Sequence, residues 1–244
     1  MSHWNLRLVG NEAGLQGYWV FDTEPTQRWI DAVAGYPALL ESLDESDLAP
    51  RVEIETPFSR QEIGVRLNDT DAIAELIDLP KTVLSATGTV ELWVELNRTI
   101  DQTLFDASFN ALSDPIPFVL ALRNQVLSFK VADSSGTQVT VEIDLADWPS
   151  TFETQVHHIA ATWQFEDSGT QIQLYLDDAI ARSMPTGNGD FPSLVRPVLG
   201  LSQAGTEPFV GSFRQVRLWD QVRQTSALQQ YRAADLTGQE PGLQ

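Results

Sequence analysis

Thr89-Val-Glu-Leu-Trp-Val-Glu-Leu96 places Val90, Leu92, Val94 and Leu96 on one side of an extended chain and Glu91, Trp93 and Glu95 on the other. An apolar residue at every second position is the period of a half-buried strand, because successive side chains of a strand point to opposite faces. The alternation recurs. In residues 139–145 Val139, Val141, Ile143 and Leu145 oppose Thr140, Glu142 and Asp144. In 158–165 Ile159, Ala161, Trp163 and Phe165 share a face, and in 171–176 Ile172, Leu174 and Leu176 do. Further strands are expected at 17–21, 103–108, 117–122, 126–132, 196–201 and 213–219. Between them lie Asp133-Ser-Ser-Gly136, Glu166-Asp-Ser-Gly169, Asp177-Asp178 and Gly187-Asn-Gly189, which are turn chemistry. Many short strands joined by polar turns predict an all-β sandwich or barrel.

Helical signals are few. Thr225-Ser226 can cap a helix over Ala227-Leu-Gln-Gln-Tyr-Arg-Ala-Ala-Asp-Leu236, which Gly238 stops. Ala38-Leu-Leu-Glu-Ser-Leu43 is compatible with a short helix. Residues 71–79 have helical composition, but Pro80 and the strand pattern that follows favour a strand.

Composition bounds the function. A chain of 244 residues is long enough to bury a core without cross-links, and with no cysteine it has neither disulfides, thiolate metal sites nor a cysteine nucleophile. Thirty-four acidic against 15 basic residues leave a net charge of −19, which repels phosphate backbones and anionic lipid. No apolar run approaches the ~20 residues that a membrane-spanning helix needs. Met1-Ser-His-Trp-Asn-Leu-Arg7 lacks the apolar segment of a signal peptide. The expectation is a protein made and kept inside the cell, or a module cut from a longer chain, with no nucleic-acid partner and no membrane insertion. The ends echo each other: residues 10–16 read GNEAGLQ and 238–244 read GQEPGLQ, with five of seven positions identical. This is the pattern of one period of a tandem array. Residues 1–10 are accordingly read as a docking or linker segment and 11–244 as the sandwich.

Several pieces carry a more specific pattern. Gly14-Leu-Gln-Gly-Tyr-Trp-Val-Phe-Asp22, Gly88-Thr-Val-Glu-Leu-Trp-Val94, His157-His-Ile-Ala160, Gln173-Leu-Tyr-Leu-Asp177 and Gly211-Ser-Phe-Arg-Gln-Val-Arg-Leu-Trp-Asp220 occur in that order. Together they resemble bacterial laminin-G-like (concanavalin-A-like) jelly-roll modules over about residues 10–243. The family's tryptophan before the strand histidine is Gln155 here, and its hairpin glycine is Asp178. The resemblance implies a two-sheet antiparallel jelly roll with a short C-terminal helix, whose rim loops bind glycan or protein.

Candidate site residues follow. Glu142-Ile-Asp144-Leu-Ala-Asp147 is similar to the carboxylate motif of glucanases on the same sandwich, where alternate strand positions supply nucleophile and acid/base. Retaining hydrolysis needs its two carboxyls ~5–5.5 Å apart. Asp147 is a methylene shorter than the glutamate expected, and an ordinary solvated strand face is favoured, with no catalytic residue assigned. His157 and His158 are neighbours and point to opposite faces, so they cannot clamp one metal; one is expected to be packed and the other exposed. Trp19, Trp93, Trp163 and Trp219 read as strand filler, and Trp29 lies near a loop. Trp148, before Pro149, is the better sugar platform, and Trp4 suits an interface. Asp106, Asp114 and Asp167 join Trp148 as ligand-binding candidates, and Asp106, Asp167 and Asp177 are the residues read for Ca2+ at the rim. No cofactor is required. Asn97-Arg-Thr99 matches a glycosylation sequon and is read as a chance match.

The function expected is non-catalytic recognition of glycan or protein. The alternatives are a structural or decoration subunit of a large particle such as a phage-tail-like injection machine, with self-association or larger assembly, and a glucanase-like glycosidase.

Overall fold

The computed structural model describes residues 14–20, 28–30, 37–42, 65–67, 75–79, 84–109 and 116–231. Trp4, Asp114 and the proposed docking segment lie outside them. Fifteen strands are described: β1 (Leu15–Val20), β2 (Arg28–Ile30), β3 (Pro37–Ser42), β4 (Val65–Leu67), β5 (Glu75–Asp78), β6 (Thr87–Leu96), β7 (Gln102–Asp106), β8 (Phe118–Arg123), β9 (Val126–Ala132), β10 (Gln138–Asp144), β11 (His157–Glu166), β12 (Gly169–Leu176), β13 (Ala179–Arg182), β14 (Val198–Leu199) and β15 (Gly211–Trp219). A 3-10 turn at Ser150–Thr154 precedes β11, and one helix, α1 (Thr225–Tyr231), follows β15.

The strands form two antiparallel sheets. The first runs β1-β15-β6-β11-β12-β13, with β4 also on β15; the second runs β10-β9-β8-β7-β14-β5-β3-β2. Sequence-distant strands lie side by side, β1 on β15 and β15 on β6, which is the crossing pattern of a jelly roll.

The alternation sets the core. Val90, Leu92, Val94, Ile159, Ala161, Trp163, Ile172, Leu174, Val216 and Leu218 face inward from the first sheet. Phe118, Leu120, Leu122, Leu127, Phe129 and Val131 face them from the second. Trp163, fully buried, meets Phe118 edge-on at 5.1 Å, and Phe118 meets Phe129 edge-on at 5.6 Å. The Trp163 indole N–H donates to Ser85 O at 2.8 Å, so its one polar atom is satisfied inside the core.

One expectation about the elements changes. Residues 37–42 are strand, not helix: β3 lies between β2 and β5 and takes its backbone partners from both. Pairing in a sheet overrides a weak local helical preference. In the β12–β13 turn, where Asp178 replaces the family's glycine, the left-handed residue is its neighbour Asp177 (φ 50°). The expected strand at 71–79 is present as β5, with 71–74 outside the described residues.

Candidate functional site

Trp93, Trp148, Trp163 and Trp219 divide into three environments. Trp163 is core. Trp93 and Trp219 lie on the outer face of the first sheet, and are nonetheless buried. Trp148 is half-buried at one corner of the sandwich.

The outer face of the first sheet carries a buried polar layer. Glu91, 1% exposed, accepts from the Trp219 indole N–H at 2.6 Å through Oε1, and its Oε2 lies 3.0 Å from His158 Nε2. The Arg217 guanidinium stands 4.3 Å over the Trp93 ring, and that of Arg223 4.1 Å over Trp219. Burial alone pushes the Glu91 carboxyl up, but the His158 hydrogen bond and the charges of Arg217, His158 and Arg223 outweigh it and hold the group below the usual carboxylate range. This layer was invisible in the sequence, where Glu91 stands on the polar side of the alternation in residues 89–96. The signal that could have found it is the presence of Trp93 and Trp219 in the same polar register.

His157 and His158 do point to opposite faces, but neither is exposed: both are more than nine-tenths buried. His157 stacks on Phe152 with ring centroids 3.8 Å apart. Its Nδ1 lies 2.7 Å from Asp177 Oδ2 and its Nε2 2.8 Å from Phe152 O. Asp177 Oδ1 also accepts from His158 N–H at 3.0 Å. Asp177 therefore ties the β12–β13 turn to β11.

Trp148 belongs to the same corner. It meets Phe152 edge-on at 5.3 Å and lies 6.4 Å from the His157 ring. Arg98, from the end of β6, donates to Leu145 O at 3.2 Å and to Trp148 O, and lies 3.7 Å from Glu153. The Trp148 N–H closes onto Leu145 O at 3.1 Å. The main chain of Trp148 is thus anchored, and its half-buried ring packs against the core. Asp144, Asp147 and Glu153 around it are exposed.

The acids singled out for a metal are dispersed. Asp167 is exposed in the β11–β12 turn and Asp177 sits in the β12–β13 turn, at opposite ends of β12. At about 3.3 Å per residue they are on the order of 25–30 Å apart. Asp106, 4% exposed at the end of β7, accepts from Ser108 N–H at 2.7 Å and Gln203 N–H at 2.9 Å. It pins the loop after β14, and burial pushes its carboxyl up. Among the described residues no group of three or more His, Cys, Asp or Glu is placed to hold a metal ion. The sequence reading passed over Asp133, which is fully buried and accepts from Ser135 N–H at 2.9 Å, Ser135 O–H at 2.6 Å, Thr137 N–H at 3.0 Å and Asn188 N–H at 2.8 Å. Gly187 is required beside it, because a Cβ there would stand 2.1 Å from Asp133 Oδ2.

Glu142 and Asp144 do share a face, and both are exposed on β10, at the margin of the second sheet. Their strand partners are Ser128 and Val126, and Asp147 lies beyond the strand.

Two facing antiparallel sheets with crossed strand order define a lectin-type jelly roll. A family model described as the concanavalin A-like lectin/glucanases superfamily, Laminin_G_3, matches residues 69–229, and the chain belongs to that family. Solved structures share the fold. The binding domain of botulinum neurotoxin serotype D superposes with a TM-score of 0.63 at 13% identity, over 93% of this chain and 53% of the other. The receptor-binding domain of botulinum neurotoxin type G gives 0.59 at 10%, over 91% and 51%. A botulinum neurotoxin type C structure, whose description attributes cell entry to interaction with two ganglioside molecules, gives 0.62 at 8%, over 91% and 50%. The chain spans about half the length of these domains. No curated protein matches it significantly. Among the described residues no helix is long and apolar enough to cross a membrane.

Proposed function

We propose that this protein is a non-catalytic recognition module that takes its ligand at the Trp148 corner, and that the ligand is a glycan. The observation that carries the reading is the state of Trp148: half-exposed, edge-on to Phe152, and anchored through its carbonyl by Arg98. A flat indole held in place offers a sugar face a stacking surface without an ordering cost on binding. Solved neighbours, one described as a toxin receptor-binding domain and one whose description ties toxin entry to gangliosides, support recognition on this scaffold. Fold likeness does not carry their ligands over. The surface charge here differs in kind, since a net −19 disfavours anionic sugars.

The placement of Asp147 beyond the strand that carries Glu142 and Asp144, so that the three do not share one strand face, supports the non-catalytic reading. A glycan array probed with the wild-type chain and with Trp148→Ala tests the site. The expected result is retention of neutral glycans by the wild type and at least a roughly tenfold weakening in the variant, about 1.4 kcal/mol. Equal binding by a folded Trp148→Ala chain would place the ligand elsewhere.

A further inference from the structure

His157 is buried with an acceptor at each ring nitrogen. Its Nδ1 lies 2.7 Å from Asp177 Oδ2 and its Nε2 2.8 Å from Phe152 O. A carbonyl oxygen accepts and cannot donate, and the same holds for an ionised carboxylate. A neutral imidazole carries one N–H and can serve one of the two. With hydrogen on Nδ1, the bare Nε2 lone pair faces the Phe152 carbonyl. With hydrogen on Nε2, the bare Nδ1 lone pair faces the Asp177 carboxylate. Both contacts are hydrogen bonds at once in the imidazolium, which donates from both nitrogens.

The surroundings suit a cation. The Phe152 ring stacks on the imidazole with its plane 18° from parallel, and an aromatic face attracts a positive charge. Asp177 supplies the counter-charge at contact. Its Oδ1 accepts from His158 N–H, and its side chain keeps 29% exposure, so the carboxylate is hydrogen-bonded on one side and solvated on the other. The other charged side chains around the ring lie on the neighbouring elements: Glu95 and Arg98 at the end of β6, Glu153 in the 3-10 turn, and the exposed Asp147 and Asp178. Arg214 donates to Glu95 at 2.6 Å and Arg98 faces Glu153, so each of those two glutamates has a cation of its own.

Through Phe152 this contact reaches the candidate site. The Phe152 side chain, 1% exposed, lies between the His157 ring and the edge of the Trp148 indole. Its carbonyl, held by His157, also accepts from Gln155 N–H at 3.3 Å inside the 3-10 turn. We propose that His157 is a positioning residue for the Trp148 site: as an imidazolium it bridges the β12–β13 turn to the Ser150–Thr154 turn and holds Phe152 against the indole. Ligand retention then falls on the alkaline side, as the ring loses a proton and one of its two bonds turns into a lone-pair clash. The effect on retention rests on the glycan reading of Trp148; the charge of the ring does not.

Asp177→Asn separates charge from shape. Asparagine tolerates the left-handed φ of 50° at this position. Its amide oxygen can accept from His158 N–H while its NH2 donates to His157 Nδ1. A neutral ring with hydrogen on Nε2 then satisfies every contact, and no proton is left to lose.

Nitrogen-15 NMR of the histidine rings in the full chain tests the proposal. At neutral pH the wild-type His157 ring should show two protonated nitrogens, and the Asp177→Asn ring one protonated and one bare. Neutral glycans on an array, probed from neutral to alkaline pH, should be retained roughly tenfold less well by the wild type at the alkaline end and equally well throughout by Asp177→Asn. A wild-type ring with a single N–H at neutral pH overturns the proposal, whatever the array shows. An equal alkaline decline in the wild type and in a folded Asp177→Asn chain overturns the positioning role. If the wild type retains no glycan, the reading of Trp148 fails, and the Trp148 indole N–H resonance, assigned with Trp148→Phe, decides. It should shift as the wild type is made alkaline and stay in place in Asp177→Asn; a resonance that stays in place in both overturns the proposal. Should Asp177→Asn not fold, the wild-type ring spectrum and its indole shift decide alone.

Discussion

Trp163 and Glu91 are two buried residues on opposite faces of one sheet, and they differ in how far the sequence could disclose them. Trp163 shares its alternation with Ile159, Ala161 and Phe165, and its burial follows from that period alone. Trp163→Ala should lower stability by about 3–5 kcal/mol, as large-to-small core changes do, read by denaturant unfolding. A negligible loss would mean that the indole faces solvent. Glu91 sits in the polar register of the strand that decides the fold, and polar alternates normally face water. What buries it is a set of distant residues, Trp219, Arg217, Arg223 and His158, that only the folded sheet assembles. Because its folded carboxyl titrates below the unfolded one, the stabilisation is present above about pH 4.3, the ordinary glutamate range, and is lost as pH falls through the lower folded value. Glu91→Gln should therefore flatten the acid limb of a stability-versus-pH curve. It should also cost about 3–5 kcal/mol near neutrality, since it leaves buried cations without their counter-charge. An unchanged acid limb would show that Glu91 is not the group responsible.

Strands with strict alternation, β6, β10, β11 and β12, were legible because one face is dry and the other wet or polar. Their ends were legible from the turn residues, with Gly136 and Gly169 both at positive φ. β3 was not, because Ala38-Leu-Leu-Glu has no clear period and is set by its neighbours in the sheet. The short strands β2, β4 and β13 gave too few residues for a period to show. Gly88 illustrates a constraint that appears only between elements. It pairs with Trp163 across β6 and β11, and a Cβ there would stand 2.2 Å from the indole. Gly88→Ala should cost about 1–3 kcal/mol through displacement of the ring or strand, measured by thermal unfolding. A neutral outcome would show that the indole has room to move.

On the scale of the molecule, the N-terminal strand pairs with the last one, β1 forming an edge of the first sheet beside β15. Gln16, in the first copy of the echoed segment, donates to Asp220 Oδ2 at 3.0 Å, and Gly14 O accepts from Asp220 N–H at 2.8 Å. β1 and the end of β15 thus meet at one edge of the first sheet. The dispersal of Asp106, Asp167 and Asp177 could not be read from the sequence, because it depends on which ends of the strands share a rim. The central claim is recognition without hydrolysis, and the carboxylates of β10 are where it can fail. The most direct measurement is reducing-end release from laminarin or lichenan by the wild-type chain and by Glu142→Gln. The account predicts no release by either protein and unchanged glycan retention in the variant. Release by the wild type that disappears in a folded Glu142→Gln chain would contradict it.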